Sequence, residues 1–236
     1  MNEEINPYPA PCPSGTCPRV PWTSRDVWVS AGILFFLLFL VAGSAFLLPA
    51  LDAGLLLIGG ELLFLLPVWW LGLRKHNASW NDLGLRNFAA SSLGLGCGLM
   101  ILSWGFNLVY SLMLAIYGLQ VQPDIKLLFA DISSPGWIFI AGVVIAPVVE
   151  EIIFRGFIFA GLRGRYGWKK AALISSALFA LIHIQPLAVI PIFILGLIFA
   201  YLYQRSGSIW PAIIMHMSTN ALALGAAYIV SEYFQV

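Results

Sequence analysis

Residues 137–160 read WIFIAGVVIAPVVEEIIFRGFIFA, an apolar run that carries Glu150, Glu151 and Arg155. About 20 apolar residues suffice for a helix to cross the hydrocarbon core of a bilayer. A charged side chain at mid-membrane costs roughly 3 kcal/mol even on the lenient insertion scale, so three in one span need a reason. Glu151 and Arg155 stand four residues apart with the acid first, the favourable order for a helix-face ion pair, and they are expected to neutralise each other. Glu150 points about 100° away around the helix and needs a different neighbour. Pro147 has no amide hydrogen, so the helix is expected to bend or loosen beside the acids.

The rest of the chain has the same solvent. Sixty per cent of the 236 residues are hydrophobic and 10% are charged, against roughly one quarter charged in an average soluble domain. Apolar runs occupy residues 27–48, 54–73, 93–117, 137–160, 171–184, 187–203 and 210–230. They predict an all-α, polytopic transmembrane bundle of about seven spans, with a conical or kinked polar site in its core. Residues 1–26, with six prolines from Pro7 to Pro21, read as a cytoplasmic tail, and residues 27–236 as one membrane domain. The first run is too long for a signal-peptide core and reads as a retained anchor. A net charge of +1 offers no broad basic surface, so no nucleic-acid partner is expected; the lipid bilayer is the partner that composition demands. Cys12, Cys17 and Cys97 make no disulfide framework, and Cys12 with Cys17 is at most half a zinc site.

Charge gives the chain a direction. Arg19, Arg25, Arg74, Lys75, Arg86, Arg163, Arg165, Lys169, Lys170 and Arg205 fall in the tail and alternate loops, whereas the other connections hold Lys126 alone. Cytoplasmic loops accumulate such residues, which predicts a cytoplasmic N-terminus and an external C-terminus. Residues 75–92 read equally well as an interfacial segment or an ordinary loop. Gly94 and Gly98 predict close helix packing. Glu61, alone in the second span, is left unassigned.

The later spans supply neighbours for Glu150. His183 ends the fifth run, and His216 and Asn220 share one face of the last by their four-residue spacing. At about 1.5 Å per residue from the expected cytoplasmic ends, Glu150 and Asn220 lie roughly 15 Å deep, His183 roughly 18 Å and His216 roughly 9 Å. Each alone reads as interhelical hydrogen bonding. Together, a carboxylate, two imidazoles and an amide are the groups that activate water and stabilise an oxyanion.

Three motifs then stand in order: Glu150-Glu151-Ile152-Ile153-Phe154-Arg155, Phe179-Ala180-Leu181-Ile182-His183 and His216-Met217-Ser218-Thr219-Asn220. They resemble the E-E-x-x-x-R, F-x-x-x-H and H-x-x-x-N motifs of CAAX-type membrane proteases, also called the CPBP or Abi family. The resemblance covers residues 137–224. It implies an intramembrane endopeptidase acting on a membrane-associated peptide or protein, in which Glu150 and His183 activate water, His216 and Asn220 stabilise the oxyanion, and Glu151 and Arg155 support the site. A metal-independent glutamate mechanism without a cofactor is favoured, since no H-E-x-x-H helix occurs. Zinc on Glu150, His183 and His216 is the alternative. A transporter or proton relay built on the same residues, or a non-catalytic immunity or binding protein, are the competing functions. The active site is expected in the cytoplasmic half of the bilayer; oligomeric state stays open.

Overall fold

The computed structural model describes residues 20–47, 53–121 and 135–233, and these are helical wherever they form regular structure. Residues 1–19, with Cys12, Cys17 and Arg19, and also Lys126, lie outside the described residues. Seven helical units follow in order: α1, Ser24–Leu47; α2, Ala53–Val68, prolonged by a wider π turn at Trp69–Arg74; α3, Ser91–Ile116; α4; α5, Trp168–Leu181; α6, Val189–Ser206; and α7, Trp210–Tyr233. The unit α4 runs through five contiguous segments, Pro135–Phe139, Ile140–Ile145, Ala146–Glu151, Ile152–Phe159 and Ala160–Tyr166, of which the second and fourth are π-helical.

Local chemistry sets the ends. At the start of α1 the Thr23 amide and hydroxyl donate to Asp26 Oδ2 at 2.9 and 2.7 Å, and the Asp26 amide donates back to Thr23 Oγ1 at 3.3 Å, a reciprocal cap. Gly207, in the left-handed region at φ 72°, closes α6. Six of the units are long and apolar enough to span a membrane. The exception, α5, has 14 residues and reaches about 21 Å, short of the hydrocarbon thickness of about 30 Å. A turn follows it, and Tyr110 on α3 holds that turn by donating its hydroxyl to Leu187 O at 3.0 Å. Among the described residues there are thus seven helical units, one for each apolar run, of which six are long enough to span.

Helix α4 is the axle. It packs against α1, α2, α5, α6 and α7, and 44% of its spanning window is buried, against 11–39% for the other five spanning helices. Every residue from Glu151 to Leu162 is buried. A helix apolar all round belongs inside a bundle, and here it carries the acids with it.

One end of the bundle is tied by polar contacts. Asp26 pairs with Lys75 and His76, Arg165 donates to Ser24 Oγ at 3.1 Å, and Arg163 donates to Gln204 Oε1 at 3.0 Å. The start of α1 and the ends of α2, α4 and α6 therefore meet there, so Lys75, Arg163 and Arg165 share one end of the molecule. Within the stretch 75–92, residues 77–90 form a docked loop. Leu83 is fully buried, Ile209 donates its amide to Gly84 O at 2.9 Å, and Ser208 donates to Arg86 O at 2.7 Å. Within this loop the Ser79 amide and hydroxyl both donate to Asp82 at 2.8 Å and hold its carboxyl below the usual carboxylate range.

Two details differ from the sequence expectation. Trp22, assigned to the tail, is buried, donates Nε1–H to Phe157 O at 3.0 Å and stacks on Phe157 at 5.2 Å; an indole is large enough to fill the gap beside α4 and finds its partner there. The close approach on α3 is at Gly96, where a Cβ would come within 2.8 Å of Met215, while Gly94 and Gly98 face open space. A Cβ at Gly156 would meet the Leu83 carbonyl at 2.7 Å, and backbone cannot step aside as a side chain can. Gly156→Ala is therefore expected to destabilise by about 1–3 kcal/mol, read as a lower melting temperature in detergent. Gly59→Ala, which meets nothing within 4 Å, should not lower it.

Candidate active site

The first ion pair forms as its spacing predicted. Arg155 Nη1 donates to Glu151 Oε1 at 2.9 Å with both side chains fully buried. Arg155 Nη2 donates to Gly196 O at 3.0 Å, and the guanidinium lies over the rings of Phe179 and Phe199, 4.4 and 5.2 Å from their centroids. Desolvation here is severe, and the ion pair, the carbonyl and two π faces together offset it. Helix α6 can come this close because it presents Gly196, where a Cβ would fall 2.8 Å from Ser176.

His216, from α7, joins the two acids. Its Nδ1 lies 3.1 Å from Glu151 Oε1 and its Nε2 lies 3.5 Å from Glu150 Oε2, while the ring stacks on Phe199 at 4.9 Å. Glu151, ionised against Arg155, can only accept, so His216 Nδ1 carries the hydrogen and Nε2 faces Glu150. Glu150 is 13% exposed where Glu151 is sealed.

His183 sits just past the end of α5. Its Nδ1 lies 2.7 Å from Phe179 O, a carbonyl that can only accept, so this imidazole too carries its hydrogen on Nδ1 and offers a bare Nε2. The contact satisfies one of the carbonyls that a helix end leaves open. The next residue, Ile184, is at φ 51°, an outlier for a β-branched residue. His183 and His216 both meet Phe179 edge-on, with centroids 4.9 and 5.8 Å away. Among the described residues His183 makes no direct hydrogen bond to either glutamate.

Asn220 has a backbone partner. In the π turn Ile140–Ile145 each amide reaches back five residues, as Ala146 does to Ala141 O. The next amide in that register belongs to Pro147, which has no hydrogen. Gly142 O, the acceptor it leaves, takes Nδ2–H of Asn220 at 2.7 Å, and one amide hydrogen of Asn220 remains. Asn220→Ala is expected to cost about 1–3 kcal/mol by orphaning that carbonyl. In a Pro147→Ala background, where a backbone amide is restored, the loss should shrink by more than half; melting temperatures of the four proteins check this.

The structure thus gathers Glu150, Glu151, Arg155 and His216 into one bonded cluster, sets His183 across Phe179 from it, and fixes Asn220 to α4. Among the described residues no three His, Cys, Asp or Glu side chains are grouped to hold a metal ion, so Glu150, His183 and His216 do not form a ready ligand set. Sequence reasoning missed Phe199 and Gly196, which carry no chemistry of their own and are visible only through packing. It also left Glu61 aside, although Glu61 lines a cleft with Glu150.

Comparison with known proteins follows the same segment. The chain is 28% identical over 146 residues, 59% of its length, to the protein named "Putative membrane peptidase YdiL" of Bacillus subtilis. It is 35% identical over 113 residues, 45% of its length, to an "Uncharacterized 24.3 kDa protein" of Escherichia coli, and 32% identical over 94 residues, 39% of its length, to the "UPF0177 protein YxdF" of Lactococcus lactis. The matched stretches span 60%, 52% and 51% of those relatives' own lengths. No solved structure matches the chain at comparable significance. Residues 132–222 match the family described as type II CAAX prenyl endopeptidase Rce1-like, and the resemblance carried by the three motifs is borne out over that segment.

Proposed function

We propose that this protein is an intramembrane endopeptidase that hydrolyses a peptide bond of a membrane-associated protein or peptide. The observation that carries the reading is His216 held between Glu150 and Glu151, with Glu150 facing a cleft that can take water. That cleft offers about 30 Å³ to water-sized spheres, where about 10–15 Å³ holds one molecule. Glu150 is the base. His183, whose Nδ1 lies 2.7 Å from Phe179 O, is assigned to orient that water through Nε2.

In this mechanism His216 acts as the imidazolium. The imidazolium then donates through Nδ1 to Glu151 and through Nε2 to the oxyanion, while Glu150 stays free to accept from water. Asn220 gives its remaining amide hydrogen to the same oxyanion. Glu151 and Arg155 touch no substrate; they fix the ring of His216.

The proposed chemistry uses no metal. Activity lost to a chelator and restored by stoichiometric zinc would overturn that form of it. Substrate enters from the cation-rich end, which we assign to the cytoplasm; a reporter fused after Val236 and found in the cytoplasm reverses the assignment. The decisive test compares protein termini in membranes from cells with the active protein and with Glu150→Ala. New termini confined to the active protein are the expected result, and identical termini in both would remove the reading.

A further inference from the structure

Glu61 has no role in the chemistry above, yet it stands in the same cleft. The lining comprises Leu34 and Leu38 from α1, Glu61 and Phe64 from α2, and Glu150, Ile153 and Phe154 from α4, with Ile182 beyond the end of α5. Glu61 and Glu150 are its two acids, and every other lining side chain is apolar. Glu61 Oε2 is buried with no hydrogen-bond partner, and among the described residues no Lys, Arg or His pairs with this side chain. Arg155, the cation within the neighbouring helix, is already committed to Glu151 and Gly196 O.

A carboxyl in an apolar wall without a counter-ion is cheaper to carry as the acid than as the carboxylate. Two carboxyl groups facing one small cleft also cannot both be charged at low cost, so their roles separate into one base and one acid. Peptide hydrolysis requires both, because the amine leaves only if its nitrogen receives a proton.

Resting on the endopeptidase reading, we propose that Glu61 is the general acid that protonates the leaving amine. Water adds its oxygen to the peptide carbonyl carbon as Glu150 takes a proton from it. The tetrahedral oxyanion then re-forms the carbonyl as the C–N bond breaks, and the nitrogen takes the proton of Glu61. One proton passes from Glu150 to Glu61 through water in the cleft, which returns both groups to their starting state. No oxidant, metal or further reactant is needed.

The test uses the full-length protein in detergent with two probes. One is a synthetic peptide spanning a cleavage site found for the wild type; the other is the nitrophenyl ester of the same acyl portion, whose phenolate leaves without a proton. Glu61→Gln should lower kcat on the peptide at least 100-fold with KM within twofold, and change ester hydrolysis less than threefold. Glu61→Asp, which keeps an acid, should recover at least tenfold over Glu61→Gln on the peptide, in samples with unchanged elution and melting. Equal losses on both probes, an unaffected peptide rate, or no recovery with Asp each overturn the assignment. A wild type that cleaves no peptide removes the endopeptidase reading itself, whereas wild-type cleavage with an indifferent Glu61→Gln removes the acid alone.

Discussion

Glu150→Gln protein is expected to fold, insert and cleave nothing measurable, with a loss of about 10²–10⁴-fold from the general-base step. The change replaces a carboxylate oxygen by an amide of the same shape, beside a cleft wall and 3.5 Å from His216 Nε2. Glu150 makes no bond to Arg155, and its side chain is 13% exposed, so the fold does not depend on its charge. Melting temperature within a few degrees of the wild type and absent product termini are the expected pair of results. Substantial cleavage by a folded Glu150→Gln protein would leave the mechanism without its base.

Arg155→Met should fail in the opposite way. Arg155 and Glu151 are both 0% exposed, and removing one partner of a buried pair costs about 3–5 kcal/mol because the other charge is left stranded. That is a large share of the roughly 5–15 kcal/mol that holds a typical domain together. Little folded protein should survive extraction. The double change Glu151→Leu with Arg155→Met removes both charges and is expected to regain most of the lost melting temperature, since apolar replacements of buried pairs are often neutral. It should not regain activity. His216 Nδ1 would then have lost the acceptor at 3.1 Å that fixes its ring. A double variant that cleaves normally would show that Glu151 does not set the histidine.

The two outcomes mark what could be read in the sequence. The pairing of Glu151 with Arg155 follows from helix periodicity alone, so four-residue spacing sufficed. Seven helical units followed from the apolar runs, although α5, at 14 residues, is shorter than a span. The company kept by Glu150 was less legible. Depth counting put His216 and Glu150 in one layer, and their side chains do stand 3.5 Å apart, but which nitrogen meets which acid, and that His183 stays off both, depends on helix packing that spacing leaves open. The clamp of Asn220 on Gly142 was hidden for a related reason. It depends on a five-residue hydrogen-bond register beside Pro147, which no pattern of side chains announces. Trp22 escaped because prolines around it signal a tail, while the cavity it fills is made by residues far along the chain. Glu61 carried a signal that was noticed and not used: an acid in lipid wants a partner, and its partner is a cleft rather than a cation.

The placement of Glu151 and Arg155 on one helix also bears on how the protein enters the bilayer. Four residues apart, they meet as soon as a single turn of α4 winds, before α5, α6 or α7 has been made. The segment can leave the insertion machinery as a nearly neutral rod, its two most costly charges already cancelled. His216, by contrast, arrives with α7, the last helix described. A nascent chain therefore holds the acids without the imidazole that joins them. On the proposed function, the hydrolytic site is complete only once α7 has been threaded.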